Sequence, residues 1–205
     1  GAGGVIAASR SGVLSAETPA EGEKLLASGT PVMLERCDTS ESSHVRRLAA
    51  LALSAAGVWH AAGVLADGML SRQSAQSLAR VYGPKAHGGW LLQLTWLPAA
   101  LRTCAVFSSI AALFGGAGQA NYSAANGCLD AVATHSHVRG RAAVSVQWGA
   151  WSEVGMASRG AASERMAAME TASGVGRIGL AEGLLALHTA ASPQTPSLLG
   201  MAPVQ

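Results

Sequence analysis

Short, nearly continuous apolar runs alternate along this chain with longer stretches patterned for helices. Gly4 to Ser9, Pro31 to Cys37 (PVMLERC), Gly57 to Ala61 (GVWHA), Leu101 to Ser108 (LRTCAVFS) and Ala142 to Trp148 (AAVSVQW) read as strands, and Leu198 to Val204 as a last one. Between them, helical patterning covers Pro19 to Ala27, Ser71 to Arg80, Lys85 to Trp96 and Tyr122 to Val138. Asp38, Thr39 and Ser40 offer caps for a further helix running to about Leu53. Strands of roughly four to eight residues alternating with helices predict β-α units around a parallel sheet. The runs do not alternate apolar with polar, so helices should cover both faces, joined by right-handed crossovers.

After Trp148 the pattern changes. WGAWSEVGMASRGAAS is rich in small residues and turn formers, with helical patterning returning at Glu164 to Glu170 and Glu182 to Ala191. Residues 149–192 therefore read as a lid on the substrate side, or as a plain surface excursion; composition does not choose. Trp148 and Trp151 fit either a loop or the core.

Composition narrows the class. The 205 residues are 49 % hydrophobic and 13 % charged, which suits one core-rich domain spanning residues 1–205. A net charge of +2, from 14 basic and 12 acidic residues, gives no electrostatic case for nucleic acid. Cys37, Cys104 and Cys128 are an odd, scattered set with no CxxC pair, pointing away from disulfides and zinc and toward a reducing, cytoplasmic setting. His44, His87, His135 and His137 have no spacing that suggests a metal site. No signal segment opens the chain, and no uninterrupted apolar stretch reaches about 18 residues, so no membrane association is expected. The opening GAGGVIAASRSG enters an apolar run directly and looks cut from something longer.

In an open parallel sheet, ligands bind beyond the carboxyl ends of the strands. Ser9-Arg10, Asp38, His60 to Gly63 and Ser108-Ser109 all fall there. The glycines of residues 115–118 permit a sharp turn into the next helix. Tyr122 and Asn126 are four apart and share a helix face, where the phenol can approach the Ser109 hydroxyl. A phenol with a free pKa of about 10 donates poorly near neutrality unless a cation stabilises its anion. Lys85 is a candidate for that cation. Hydroxyl, phenol and ammonium around one pocket would suit a carbonyl reducer. Each residue also has a plainer reading. The serines can satisfy backbone groups at a strand end, Tyr122 can be a boundary aromatic, Lys85 a solvated helix residue, and His60 a local packing group.

The segments GVWHAAGVLADGML, PKAHGGWLLQ, FSSIAALFGGAGQANYSAANGCLDA and VSVQWGAWSEVGM resemble the ketoreductase domain of polyketide synthases, within the short-chain dehydrogenase/reductase superfamily. The resemblance implies a Rossmann-like parallel sheet flanked by helices and a catalytic set of Tyr122, Ser109, Lys85 and Asn126. Free-standing reductases of the superfamily usually carry the lysine four residues after the tyrosine; here Asn126 stands there and Lys85 comes from the earlier helix. The likeness also implies NADPH as cofactor. It places Ser9 and Arg10 at the 2′-phosphate, Cys37 and Asp38 beside the adenine, and His60, Ala61, Ala62 and Gly63 along the ribose and nicotinamide. Arginine suits the phosphate through its fixed fork of donors.

The implied reaction is reduction of the β-keto group of an acyl thioester to a β-hydroxy group. The substrate would ride on the phosphopantetheine arm of an acyl carrier protein, among neighbouring synthase domains. Asp67, Phe114 and Gln119 would lie on the substrate side. Members called B-type carry Leu-Asp-Asp after HAAG; this chain has Leu65, Ala66 and Asp67 and is read as B-type. The family's glycine-rich turn would precede Gly4, so the sheet is expected to lack its first strand. The full-length protein is then expected to be an active reductase, and the isolated chain to fold marginally and bind NADPH weakly. The alternative is a catalytically silent, ketoreductase-like module that organises its neighbours.

Overall fold

The structure, a computed structural model, describes residues 3–14, 19–96, 101–153, 174–192 and 194–203, with Glu21 described by its backbone alone. The strands are β1 (Val5–Ser9), β2 (Val32–Arg36), β3 (Gly57–His60), β4 (Thr103–Ser109), β5 (Ala143–Trp148) and β6 (Leu198–Met201). The helices are α1 (Pro19–Ala27), α2 (Ser42–Leu51), α3 (Ala75–Tyr82), α4 (Gly88–Thr95), α5 (Ala111–Phe114), α6 (Ala120–Val138) and α7 (Leu180–Ala190). Every strand pairing is parallel, as the unalternating apolar runs predict.

The ladders form two sheets, β1-β2 and β3-β4-β5-β6. In the first, Val5 lies opposite Val32 and Ser9 opposite Arg36. In the second, Cys104 faces Ala143 and Ser109 faces Trp148. Among the described residues β1 bonds only to β2, and β3 only to β4, so the hydrogen-bonded order breaks between β1 and β3.

Helices cover the larger sheet on both sides. Ala105 of β4 and Val144, Val146 and Trp148 of β5 pack with Ile178 and with Ala186 and Ala190 of α7. Val106, the neighbour of Ala105 and so on the opposite face, packs with Leu129 and Ala133 of α6. A third cluster joins Cys37, Val45 of α2, Leu92 and Trp96. The rings of Trp148 and Trp151 lie 4.8 Å apart, and a Cβ at Gly183 would sit 2.0 Å from the Trp151 indole, so these tryptophans belong to the core.

Several elements depart from the sequence expectation, each for a local reason. Helix α2 starts at Ser42 without a side-chain cap, while Asp38 Oδ1 accepts from Ser40 N at 2.9 Å in the preceding turn. The stretch from Ser71 to Arg80 is divided into a 3-10 turn at Leu70–Arg72 and α3. Ser74 and Ser77 form a reciprocal capping box there, with bonds of 2.9 and 3.1 Å, which sets the start of α3.

The two helices expected at 71–80 and 85–96 are joined through a π turn, Gly83–His87. Pro84 has no N–H to give, and its ring would clash with the carbonyl one turn back in a regular α-helix; a widened turn removes the clash. The short α5 was not foreseen. The expected helix at residues 164–170 lies outside the described residues, as do residues 154–173 of the segment read as a lid. Among the described residues no helix is long and apolar enough to cross a membrane.

Candidate active site

Three elements bring the expected catalytic residues together. Strand β4 ends at Ser108 and Ser109, α6 presents Tyr122 and Asn126 on one face, and the π turn carries Lys85. Lys85 Nζ donates to Asn126 Oδ1 at 2.9 Å and to the Phe107 carbonyl at 3.0 Å. It sits 5.0 Å from the centroid of the Tyr122 ring. Asn126 is itself fixed, because its Nδ2 donates to the Tyr122 carbonyl at 2.8 Å. Ser108 Oγ donates to the Asn126 carbonyl at 3.3 Å, and Ser109 Oγ accepts from Ala111 N at 3.2 Å. The plain reading of Lys85 as a solvated residue is therefore overturned: it is 3 % exposed.

Glycine makes room for this lysine. A Cβ at Gly63 would lie 2.8 Å from Lys85 Cε, so the end of the lysine would have to move aside. Gly118 is held at a φ of +74°, and its would-be Cβ lies 3.5 Å from Gly68 N. The turn before α6 thus approaches the segment after β3 backbone to backbone.

Electrostatics correct one expectation. Burial holds the Tyr122 phenol above its ordinary value of 10.0, with hydrogen bonds from Asn126 and Ser109 pulling it partly back and the Asp67 charge raising it. Burial sets the net direction, which is upward. Burial instead pushes Lys85 from 10.5 down to about 8, against the opposing pull of Asp130. His60 is lowered from 6.5 to about 4, first by burial and then by the Lys85 charge. The phenol is therefore protonated at neutral pH, and its ability to donate depends on what stabilises the anion it leaves.

The residues expected around the cofactor lie at strand ends or just beyond them. Ser9 and Arg10 close β1, where Ser9 Oγ accepts from Gly12 N at 3.0 Å and Arg10 is exposed. Cys37 and Asp38 follow β2, and Cys37 N donates to the Ser9 carbonyl at 2.8 Å, aligning the two ends. His60 ends β3 buried, and its Nε2 has no hydrogen-bond partner among the described residues. Ala61, Ala62 and Gly63 continue without regular structure. Gln119 Nε2 donates to Asp67 Oδ1 at 3.4 Å, which brings two of the three substrate-side residues into contact. The third, Phe114, is 77 % exposed at the end of α5. Among the described residues no group of His, Cys, Asp and Glu could hold a metal ion.

Sequence reasoning missed three polar residues. Asp130 lies two helical turns beyond Tyr122 and accepts from Ser145 Oγ at 2.6 Å and Gln147 Nε2 at 2.8 Å, locking α6 to β5. The i, i+4 spacing of Tyr122, Asn126 and Asp130 was the signal available. Asn121 is 2 % exposed and bonds to Ala66 and Gln73. Nothing in the local pattern marks Gln73.

Comparison with known proteins follows the same lines. Residues 1–153 match the KR domain family. Polyketide synthase GfsB of Streptomyces halstedii is 43 % identical over 170 residues, which is 81 % of this chain and 3 % of that protein. The phthioceranic/hydroxyphthioceranic acid synthase of Mycobacterium tuberculosis is 39 % identical over 137 residues, 65 % of this chain and 6 % of the synthase. Among solved structures, A-type ketoreductases from a modular polyketide synthase superpose with a TM-score of 0.87 at 27 % identity, covering 99 % of this chain and 42 % of theirs. The ketoreductase from the first module of phoslactomycin biosynthesis in Streptomyces sp. HK803 gives 0.85 at 28 % identity, covering 99 % of this chain and 46 % of that one. The chain thus spans a small part of the synthases it matches, and under half of these solved chains.

Proposed function

Because the chain belongs to the KR domain family, the ketoreductases of polyketide synthases, we infer that it reduces the β-keto group of an acyl thioester to a hydroxyl. The acyl chain is carried by an acyl carrier protein of the same assembly, and the reductant is NADPH. One observation carries this reading: Tyr122, Ser109, Lys85 and Asn126, spread over three elements and 42 positions of sequence, converge on one buried site.

The residues present fit the cofactor. The irregular segment after β3 passes Lys85 so closely that a Cβ at Gly63 would displace the lysine's end, and Arg10 stands exposed at the end of β1 as a phosphate partner. Bound there, NADPH supplies the hydride. The chain does the rest. Ser109 and Tyr122 hold the carbonyl oxygen by their hydroxyls, and Tyr122 transfers its proton to that oxygen as negative charge develops. The Lys85 ammonium, 5.0 Å from the ring, stabilises the phenolate left behind, and Asn126 keeps the amine in place. Asp67, Gln119 and Phe114 set the face of the carbonyl presented, giving the B-type product.

Replacing Tyr122 with Phe in the full-length protein tests this. The rate of NADPH oxidation with a β-ketoacyl thioester should fall by about 10² to 10⁴. An unchanged rate removes Tyr122 from the chemistry. No rate in the unsubstituted protein would make the domain a silent organising module.

A further inference from the structure

A small polar network outside the catalytic set ties the segment after β3 to the start of α6. Asn121 stands immediately before Tyr122, and its Oδ1 accepts from Tyr122 N at 2.7 Å. Its Nδ2 donates to the Ala66 carbonyl at 2.8 Å and to Gln73 Oε1 at 3.1 Å. Gln73 in turn donates from Nε2 to the Gly68 carbonyl at 3.0 Å and accepts from Ser77 Oγ at 2.7 Å. Gly68 N donates to the Gly118 carbonyl at 2.8 Å. The carbonyls on both sides of Asp67 are therefore held by two side chains that also hold each other, and one of those side chains holds the backbone of Tyr122.

This is an unusual concentration of bonding for a segment with no regular structure. Residues 61–69 form no helix or strand of their own, so their path is set by whatever their backbone groups bond to. Asn121 is nearly inaccessible to water, so each lost bond would leave a buried polar group unsatisfied. Ser77, in the first turn of α3 and paired with the N-cap Ser74, presents its hydroxyl to Gln73, so the network is anchored in a helix that takes no part in the chemistry.

We propose that Gln73 and Asn121 are positioning residues that clamp Ala66–Gly68 to the N-terminus of α6, fixing Asp67 relative to Tyr122 and so the configuration of the hydroxyl product. Neither touches the reacting atoms. They act through the backbone on either side of Asp67 and through the first turn of α6. This rests on the ketoreductase reading, and deepens it by naming what holds the stereochemical element in place.

The test replaces Gln73 with Met, which keeps length and removes both polar ends, in the full-length protein. Asn121→Ala is the harsher companion, and Gln73→Glu restores the acceptor for Asn121 and Ser77. For Gln73→Met the minor hydroxyl epimer, read by chiral chromatography, should rise about tenfold, and kcat should fall about tenfold with the KM for NADPH unchanged. Gln73→Glu should recover part of both. Amide exchange at Gly68 and Tyr122 should quicken in Gln73→Met while β4 and β5 keep their protection.

Parental epimer ratio and kcat in a folded Gln73→Met protein would overturn the proposal, even if exchange quickens. An unsubstituted protein that reduces no β-ketoacyl thioester would overturn the functional reading instead. Exchange then judges the clamp alone: quickened exchange supports it, and unchanged exchange sinks it.

Discussion

The two sheets are built from similar sequence and end up in different conditions. In β5 every residue is buried, and β4 mixes buried with half-buried positions. In β1 and β2 no residue is fully buried, and Met33 and Leu34 are 48 % and 38 % exposed. Strand propensity does not explain the contrast, since VIAAS and VMLER are as apolar as many core strands. Cover does: α6 and α7 close the two faces of β4 and β5, whereas among the described residues β1 has a partner on one edge alone. The proposed roles divide along the same line. Proton transfer lies with the densely packed half, and phosphate and adenine recognition with the open one.

Mutation should break that comparison most sharply in the core. Leu129, fully buried on α6, should cost about 2–5 kcal/mol when cut to Ala, through lost contacts and the cavity left behind. Leu34→Ala on β2 should stay within about 0.5 kcal/mol, as at other exposed positions. Urea denaturation followed by tryptophan fluorescence reads both, and equal losses would mean that β2 is as well covered as β5.

A pH series sharpens the contrast from the buried side. His60 is held neutral in the fold at a value lowered from 6.5 to about 4, so the unfolded chain binds its proton first. Its stabilising contribution is whole above about 6.5 and is lost as pH falls toward 4, on the order of 3 kcal/mol. His60→Gln should flatten that slope in denaturation curves. Lys85 runs the other way. Because its value drops from 10.5 to about 8, the unfolded chain keeps the proton longer, and stability should rise between those values. Turnover should decline over the same range as the ammonium disappears. Parallel rises in stability and turnover would contradict the role given to the charge.

The smallest effect belongs to the open half. Arg10→Ala should raise the KM for NADPH about tenfold, the order expected for one charge-assisted contact, while leaving the melting temperature unmoved. A fall in kcat with KM unchanged would take Arg10 out of recognition.

How much of this could be read in advance follows from what is local. The strands were legible because each is an apolar run bounded by turn residues, and Ser109, Tyr122 and Asn126 because a strand end and an i, i+4 pair are short-range patterns. Lys85 was legible as a family match but not as a buried group. Its neighbours in sequence look solvent-facing, and its burial depends on Gly63, Phe107 and Asn126 arriving from elsewhere. The upward shift of the phenol was hidden for the same reason: desolvation is set by the whole fold. Gln73 and Asp130 are ordinary polar residues until their partners are known, and α5 is too short to leave a periodic trace.

The π turn at Gly83–His87 carries Pro84 and Lys85 side by side. In a regular helix each residue advances the side-chain direction by about 100°, so one widened turn resets the phase of everything beyond it. Helix α4 therefore leaves the proline out of step with α3, and the residue next to the ring is swung inward where an unbroken spiral would have pointed it elsewhere. A proline that would ordinarily spoil a helix acts here as a gear tooth, setting the angle at which an amine meets a phenol.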